Sequence, residues 1–492
     1  MRFWNDLKHE NKVFYTFLAI HLIVWTCIGL IRTVLPTDSL EGIYWGSLHD
    51  FGTPKHPPLA GWLTYLAWIP FKKDFFVYLL SQTFIILGFI YIYRLAKNFV
   101  DENKAMLSVI ILEGCWCYSY ITGYYGFNPD VVLLFTLPAI TFYFYQCMKE
   151  NKTSDWIKLG LIAGFSFLDK YQTGLLIIAM ATWAFLFRRK TFVNKKFYFA
   201  VIIAFIIFLP HLLWLVKYDF FPLLYFDSKL APLDLYGRII HFILFILMQV
   251  VMMLGSLLIY SLLKFKTKTS FKFIKNKDEK FWFLTIMMLV PFVLHIVMCL
   301  ISGGNVRPQW NYVFWFLIGL YLFYTLPLEV NTKDFDFVTK LSYTIMLIVF
   351  LSFGTMLTVE KNYRSRYPVA NVFGDLKEKI WKHECGTAPL KYIGGFTEWA
   401  YPITIYAQTH PNYIMDTFGY KSPWLNEEDL KASGALILSR HEDEVLEFAK
   451  QSCPYVPADY QFSAKPYSFI LHNALGMPRE YTIYYVIIPP ME

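Results

Sequence analysis

The chain has 492 residues, 56% of them hydrophobic and 20% aromatic, with only 17% charged and a formal net charge of +8. A soluble domain carries about 25% charged residues; the deficit here is concentrated in long apolar runs, which excludes an ordinary soluble enzyme. The positive balance does not point to nucleic acid, because most basic residues sit in short clusters between apolar runs, the pattern that orients a polytopic membrane protein.

A bilayer-crossing helix needs about 20 mainly apolar residues. In chain order, spans are expected near 13–34, 75–95, 104–122, 130–148, 156–169, 173–188, 196–216, 239–263, 281–301, 310–328 and 338–358. The first run is long for a signal-peptide core and ends without a small-residue cleavage site. Asp169, Lys170 and Gln172 interrupt the fifth and sixth runs and mark a tight turn between two short spans. With the N-terminus in the cytosol, the inside loops hold Arg94, Lys97 and Lys104, then Lys149, Lys152 and Lys158, then Arg188 to Lys196, then seven lysines between Lys264 and Lys280. The outside loops are poor in basic residues. About eleven spans leave the polar segment from Glu360 onward outside. In that segment Ala435–Leu438 and Tyr481–Ile487 alternate as strands do, and Asp443–Gln451 reads as a helix. The expected architecture is a polytopic α-helical membrane domain, residues 1–359, followed by a small α/β extracytoplasmic domain, residues 360–492.

Five of the seven cysteines, Cys27, Cys115, Cys117, Cys147 and Cys299, fall in or near apolar spans, where buried reduced thiols are expected. Cys385 and Cys453 lie in the polar segment; an outside location leaves both a disulfide and two free thiols open.

The outside loops carry the residues capable of chemistry. The first, 35–74, is longer than a helix connection needs. It contains Asp38, Glu41, Tyr44 and Trp45, then Lys55, His56, Pro57 and Pro58, then an apolar, Trp-rich stretch too short to span. The proline pair stiffens the chain next to His56. Glu41 reads either as a solvated helix-start residue or as a functional carboxylate. In the second loop Asn128 is placed to cap a helix, with Pro129 at its first position and Asp130 facing its positive end; Asp130 is also a second candidate carboxylate. Asp169–Lys170–Tyr171 carries a charge pair in apolar sequence, read either as self-neutralising or as phosphate-binding. Arg307 and Trp310 precede the tenth span and Arg238 opens the eighth, each guanidinium able to grip a phosphate with its planar fork. Lys217–Asp219 and Asp227–Lys229 are candidates for the acceptor side.

The order of these motifs resembles the bacterial branch of the dolichyl-phosphate-mannose protein mannosyltransferase family, which includes the lipid A aminoarabinose transferases. The residues that carry the resemblance are Glu41 with Tyr44–Trp45, His56–Pro57–Pro58–Leu59, Asp130, Lys170–Tyr171 and Gln309–Trp310–Asn311. In the C-terminal segment they are Gly394–Trp399 and Tyr406–Pro411. At one position the chain departs: Leu40 stands where the family's leading Asp is expected, which leaves open that Asp38 or Glu41 supplies that carboxylate, that Asp130 carries the role, or that the chain has changed substrate or lost activity.

The resemblance implies a GT-C fold and a glycosyltransferase of the bacterial inner membrane, working at the periplasmic face. It further implies a sugar donor on polyprenyl (undecaprenyl) phosphate and an envelope acceptor, lipid A before protein. Glu41, Asp130 and Asp38 would then be catalytic. His56, Lys55, Tyr44, Lys170, Tyr171, Arg238, Arg307 and Trp310 would bind substrate. A divalent ion at Glu41 and Asp130 is a further expectation, although their spacing forms no metal motif. The rival class is a transporter or flippase of lipid-linked sugars; against it, no paired internal repeats are visible.

Overall fold

In the computed structural model, residues 7–32, 34–223, 233–302, 307–359, 380–407, 409–414, 422, 425–453, 455–457, 459–472 and 476–491 are described. Asp227–Lys229, one of the two candidate acceptor stretches, lies outside them. The helices that matter below are α1 (His9–Ile28), α2 (Thr37–Ser47), α3 (Leu59–Trp68), α4 (Phe75–Ala96), α5 (Pro129–Glu150), α6 (Thr153–Phe167), α7 (Thr173–Phe187), α8 (Lys195–Lys217), α9 (Leu235–Lys266), α10 (Glu279–Ser302) and α11 (Thr332–Val359).

Among the described residues, seven helices are long and apolar enough to cross a membrane: α1 with its 3₁₀ extension to Ile31, α4, α5, α8, α9, α10 and α11. The chain is a multi-pass membrane protein. The other four expected spans take shorter or broken forms, and the polar residues inside them explain why. Apolar run 104–122 becomes a helix over Glu102–Ile110, a 3₁₀ turn over Ile111–Gly114 and a short helix over Tyr120–Tyr125. Glu113 sits in that turn, where its carboxylate meets the His21 Nδ1 at 2.6 Å and accepts from the Trp25 Nε1 at 3.0 Å. Run 310–328 starts as two 3₁₀ turns and becomes α-helical only from Ile318. α6 and α7 have 15 residues each, with the expected turn between them at 168–172.

The chain divides into two compact units. The first comprises residues 1–27, 51–60 and 78–351; the second comprises 28–50, 61–77 and 352–492. In the first unit α5 is the best-buried span, and its start and stop are both encoded locally. Asn128 caps it, accepting from the Val131 N–H at 3.2 Å, with Pro129 at the first position; Asn151 ends it in the left-handed conformation, its N–H on the Cys147 carbonyl. Loop 51–58 lies against α8: a Cβ on Gly52 would strike the indole of Trp214, so only glycine fits there.

In the second unit a mixed five-stranded sheet has the order β2-β1-β3-β5-β4, with β1 (Tyr392–Gly395), β2 (Asn412–Ile414), β3 (Ala435–Ser439), β4 (Lys465–His472) and β5 (Pro478–Ile488). β1 runs parallel to β2 and β3, and β5 runs antiparallel to β3 and β4, pairing Ile437 with Val486. α12 (Thr397–Tyr406) crosses from β1 to β2, while α13 (Glu427–Ser433) and α14 (Glu442–Ser452) flank β3. Leu430, Ile437, Val445, Ala449, Val486 and Ile488 form its core together with Cys453. Cys385 and Cys453 are both free thiols. The strands expected at 435–438 and 481–487 and the helix at 443–451 are present.

The first-loop helix α2 is fastened to this sheet. The Tyr413 N–H donates to the Tyr44 hydroxyl at 2.9 Å, and the Tyr44 ring packs on Tyr401 and Tyr413. The Leu35 N–H donates to the Tyr406 hydroxyl at 3.4 Å, and that hydroxyl donates to Asp74 at 2.8 Å. α2 and α3 approach so closely at Gly46 that a Cβ there would collide with the Gly61 carbonyl. Gly46→Val is therefore expected to destabilise the second unit by about 1–3 kcal/mol through overpacking. A lowered unfolding midpoint in detergent, read by near-UV circular dichroism, would show it; an unchanged midpoint would contradict the close approach.

Candidate active site

Four of the sequence motifs converge in the first unit. Asp130, at the second position of α5, has both carboxylate oxygens engaged. Lys170 Nζ donates to Oδ1 at 2.5 Å, and the Tyr312 hydroxyl donates to Oδ2 at 2.8 Å. The two charged side chains are only 14% and 15% exposed. The helix macrodipole further favours the carboxylate at this position. Lys170 thus takes its partner from 40 residues upstream, and the self-neutralising pair with neighbouring Asp169, one of the two readings of the sequence, does not form. Asp169 is instead fully enclosed, with neither carboxylate oxygen hydrogen-bonded. Burial holds its carboxyl well above the usual carboxylate range; Lys170 opposes the shift and Asp130 adds to it.

His56 completes the group. Its loop is a hydroxyl-stapled turn: the Thr53 Oγ1 donates to the His56 carbonyl at 2.7 Å and accepts from the His56 N–H at 2.9 Å. Pro57 and Pro58 then carry the chain into α3, whose first N–H, on Leu59, donates to the Leu168 carbonyl at 3.0 Å. Burial, then the ammonium groups of Lys170 and Lys55, hold the imidazole well below its ordinary pKa, so His56 is neutral.

The turn after Lys170 is tied to two further elements. The Tyr171 hydroxyl meets His211 Nε2 at 2.7 Å, and His211 Nδ1 meets the Phe51 carbonyl at 2.7 Å. A carbonyl only accepts, so Nδ1 carries the proton and Nε2 accepts from Tyr171. The Gln172 amide donates to the Trp310 carbonyl at 2.9 Å. Gln249 of α9 donates to the Pro308 carbonyl at 3.0 Å and accepts from Asn311 and the Trp315 indole. His295 of α10 meets the Asn311 side chain at 3.0 Å. The 307–311 turn is therefore held from α9, α10 and the 168–172 turn, and Arg307 at its start is solvent-exposed.

Asp130, Lys170, Tyr171, His56, Lys55 and Trp310 are thus brought into one connected neighbourhood. Arg238, in the same unit, is exposed and donates through Nε to the Leu233 carbonyl at the start of its own helix. Asp38, Glu41 and Tyr44 belong to the second unit, where Glu41 is buried on α2 and acts electrostatically on the Tyr401 hydroxyl. The reading from sequence missed Tyr312, His211, Gln249 and His295. The last three are polar residues inside apolar helices, a costly placement that marks function or specific pairing.

The metal expectation was tested against the donor set. Among the described residues no group of three or more His, Cys, Asp or Glu side chains could hold an ion. At Asp130 both oxygens already face an ammonium and a phenol, which does not fit a divalent cation.

Residues 55–214 match the family model described as dolichyl-phosphate-mannose-protein mannosyltransferase. That segment contains His56, Asp130, Lys170, Tyr171 and His211. ArnT from Cupriavidus metallidurans, solved bound to undecaprenyl phosphate, superposes with a TM-score of 0.62 at 10% identity, over 96% of this chain and 97% of that one. The fold is ArnT-like. The Archaeoglobus fulgidus oligosaccharyltransferase in its apo form gives a TM-score of 0.49 at 10% identity, over 95% of this chain and 74% of that one. No curated protein matches the chain in sequence.

One consequence of the geometry can be measured. Lys170→Met removes the larger of the two cationic influences on His56, so the His56 pKa should rise toward the ordinary imidazole value. A ¹⁵N-histidine titration in detergent would record this, and an unmoved His56 resonance would place Lys170 away from the imidazole.

Proposed function

We propose that this chain is a glycosyltransferase that takes a sugar from polyprenyl (undecaprenyl) phosphate and transfers it to an envelope acceptor, lipid A first. The reaction would run at the periplasmic face of the bacterial inner membrane. The carrying observation is the Lys170 ammonium, pinned by Asp130, whose other oxygen Tyr312 holds, in a largely enclosed site beside neutral His56. The ArnT-like fold and the family match over 55–214 support the reading, and the distribution of basic loops supports the orientation.

In the transfer, an acceptor oxygen attacks the anomeric carbon while the bond from that carbon to the donor phosphate oxygen breaks. The electron pair leaves with the polyprenyl phosphate, whose charge rises by one. Lys170 is the group placed to meet that charge, and Arg307 on its braced turn is the second. His56, being neutral, donates or accepts a hydrogen bond without adding repulsion to Lys170. Asp130 acts here by positioning: it orients the ammonium and yields Coulombic ground to the incoming phosphate. Where the acceptor is a lipid A phosphate, no proton need be removed from it.

Membranes carrying Lys170→Met should transfer sugar from an undecaprenyl-phosphate donor about 100-fold more slowly or worse. Asp130→Asn should show a smaller loss, since the ammonium remains. Undiminished transfer by both variants would sink the mechanism. Mass spectrometry of lipid A from cells with and without the protein should show a lost sugar. Unchanged lipids with altered glycoproteins would instead name protein O-glycosylation, and donor translocation without transfer would name a flippase.

A further inference from the structure

About 20 residues along α5 from Asp130, roughly 30 Å away at 1.5 Å per residue, a second charged cavity is built from the ends of α4 and α5 and the start of α6. It has a volume of about 520 Å³ and is lined by five cations, Arg94, Lys97, Lys149, Lys152 and Lys158, against two carboxylates, Glu150 and Asp155. The proposed transfer reaction makes no use of it. The positive-inside rule explains why cations lie at this end of the helices, but that rule is met equally by solvated lysines scattered over separate loops.

The local pairing goes beyond that requirement. Lys152 is paired with Glu150, and Lys149 donates to the Asn98 side chain at 2.9 Å, joining the ends of α4 and α5. The remaining three cations rest on aromatic rings and pair with no carboxylate among the described residues. The Arg94 guanidinium lies over Phe142 at 4.4 Å and Tyr91 at 5.4 Å. The Lys97 ammonium lies over Tyr93 at 4.7 Å, and that of Lys158 over Tyr143 at 5.5 Å. Ring contacts orient a cation and leave its hydrogen-bond donors available. A planar fork and two ammonium groups around one concavity are the donor set that a phosphate group requires.

We propose that this cavity binds the phosphate headgroup of an anionic phospholipid from the leaflet at this end of the helices. Phosphate is the shared chemistry of a lipid headgroup and a soluble organophosphate. The lipid is favoured because two of the three walls are the ends of membrane-crossing helices, where headgroups lie and anionic lipids concentrate on the positive side.

The test uses the purified full-length chain, delipidated in detergent and titrated with phosphatidylglycerol or phosphatidylcholine, with retained lipid counted by native mass spectrometry. Phosphatidylglycerol should be retained and phosphatidylcholine should not. Arg94→Gln with Lys158→Gln should weaken phosphatidylglycerol binding about 10- to 30-fold. Lys190→Gln with Lys195→Gln, an equal charge change outside the cavity, should leave it unchanged. Lys97→Gln alone should give a smaller loss and serves if the double variant is not monodisperse. Equal binding by the cavity variants and the wild type would overturn the proposal, as would an equal loss in the control pair. Displacement of the lipid by millimolar inorganic phosphate would overturn the lipid assignment and name a soluble phosphate ligand.

Discussion

The ion pair between Lys170 and Asp130 is the constraint on which the rest of the candidate site depends. Removing one partner of a buried pair leaves an uncompensated charge and costs about 3–5 kcal/mol, so the fold cannot easily separate the two side chains. Asp130 is fixed because α5 is fixed: Asn128 and Pro129 set where the helix begins, and the helix dipole favours an anion at its second position. Lys170 is fixed because it lies in the short turn joining α6 and α7. The Tyr312 hydroxyl then ties the late turn to the same carboxylate.

Charge bookkeeping around this pair explains the states of its neighbours. The ammonium and the carboxylate cancel, burial raises the pKa of enclosed Asp169, and burial beside two lysines lowers that of His56. The ion pair therefore adds no net charge of its own, and Lys55 stands beside it as a second ammonium. An incoming phosphate would find an ammonium already oriented and would compete with Asp130 for it. Polar residues from α8, α9 and α10 brace the surrounding turns, each through a hydrogen bond that would be lost to solvent in a looser site.

The second unit has a different physical logic. Its sheet is stabilised by apolar residues on both faces of β3, and the first-loop helix α2 is joined to it through Tyr44 and the Tyr413 backbone. Tyr44, a substrate-binding candidate by resemblance, thus has a hydroxyl committed to holding α2 on the sheet. Glu41 and Leu40, on the same helix, are both buried in that unit.

Much of this was legible in the chain itself. Apolar run lengths located seven helices long enough to cross a membrane among the described residues, because crossing hydrocarbon demands about 20 apolar residues whatever the fold, while four further expected runs proved short or broken. Asn128–Pro129–Asp130 announced its helix start, because capping is local chemistry, and alternation exposed β3 and β5. The turn at 169–172 was visible as polar residues breaking an apolar run. Long-range pairing was not legible. Nothing in Asp169–Lys170 indicates that the lysine reaches Asp130, 40 residues away, while its own neighbour is buried without a hydrogen bond. The broken form of 104–122 depends on Glu113 finding His21 and Trp25, and the bracing by Gln249 and His295 depends on which faces of α9 and α10 turn inward. Sequence determined where the chain enters apolar surroundings and where helices start; only tertiary structure decided which charge meets which, because in a low-dielectric interior that choice rests on ångström distances between segments remote in the chain.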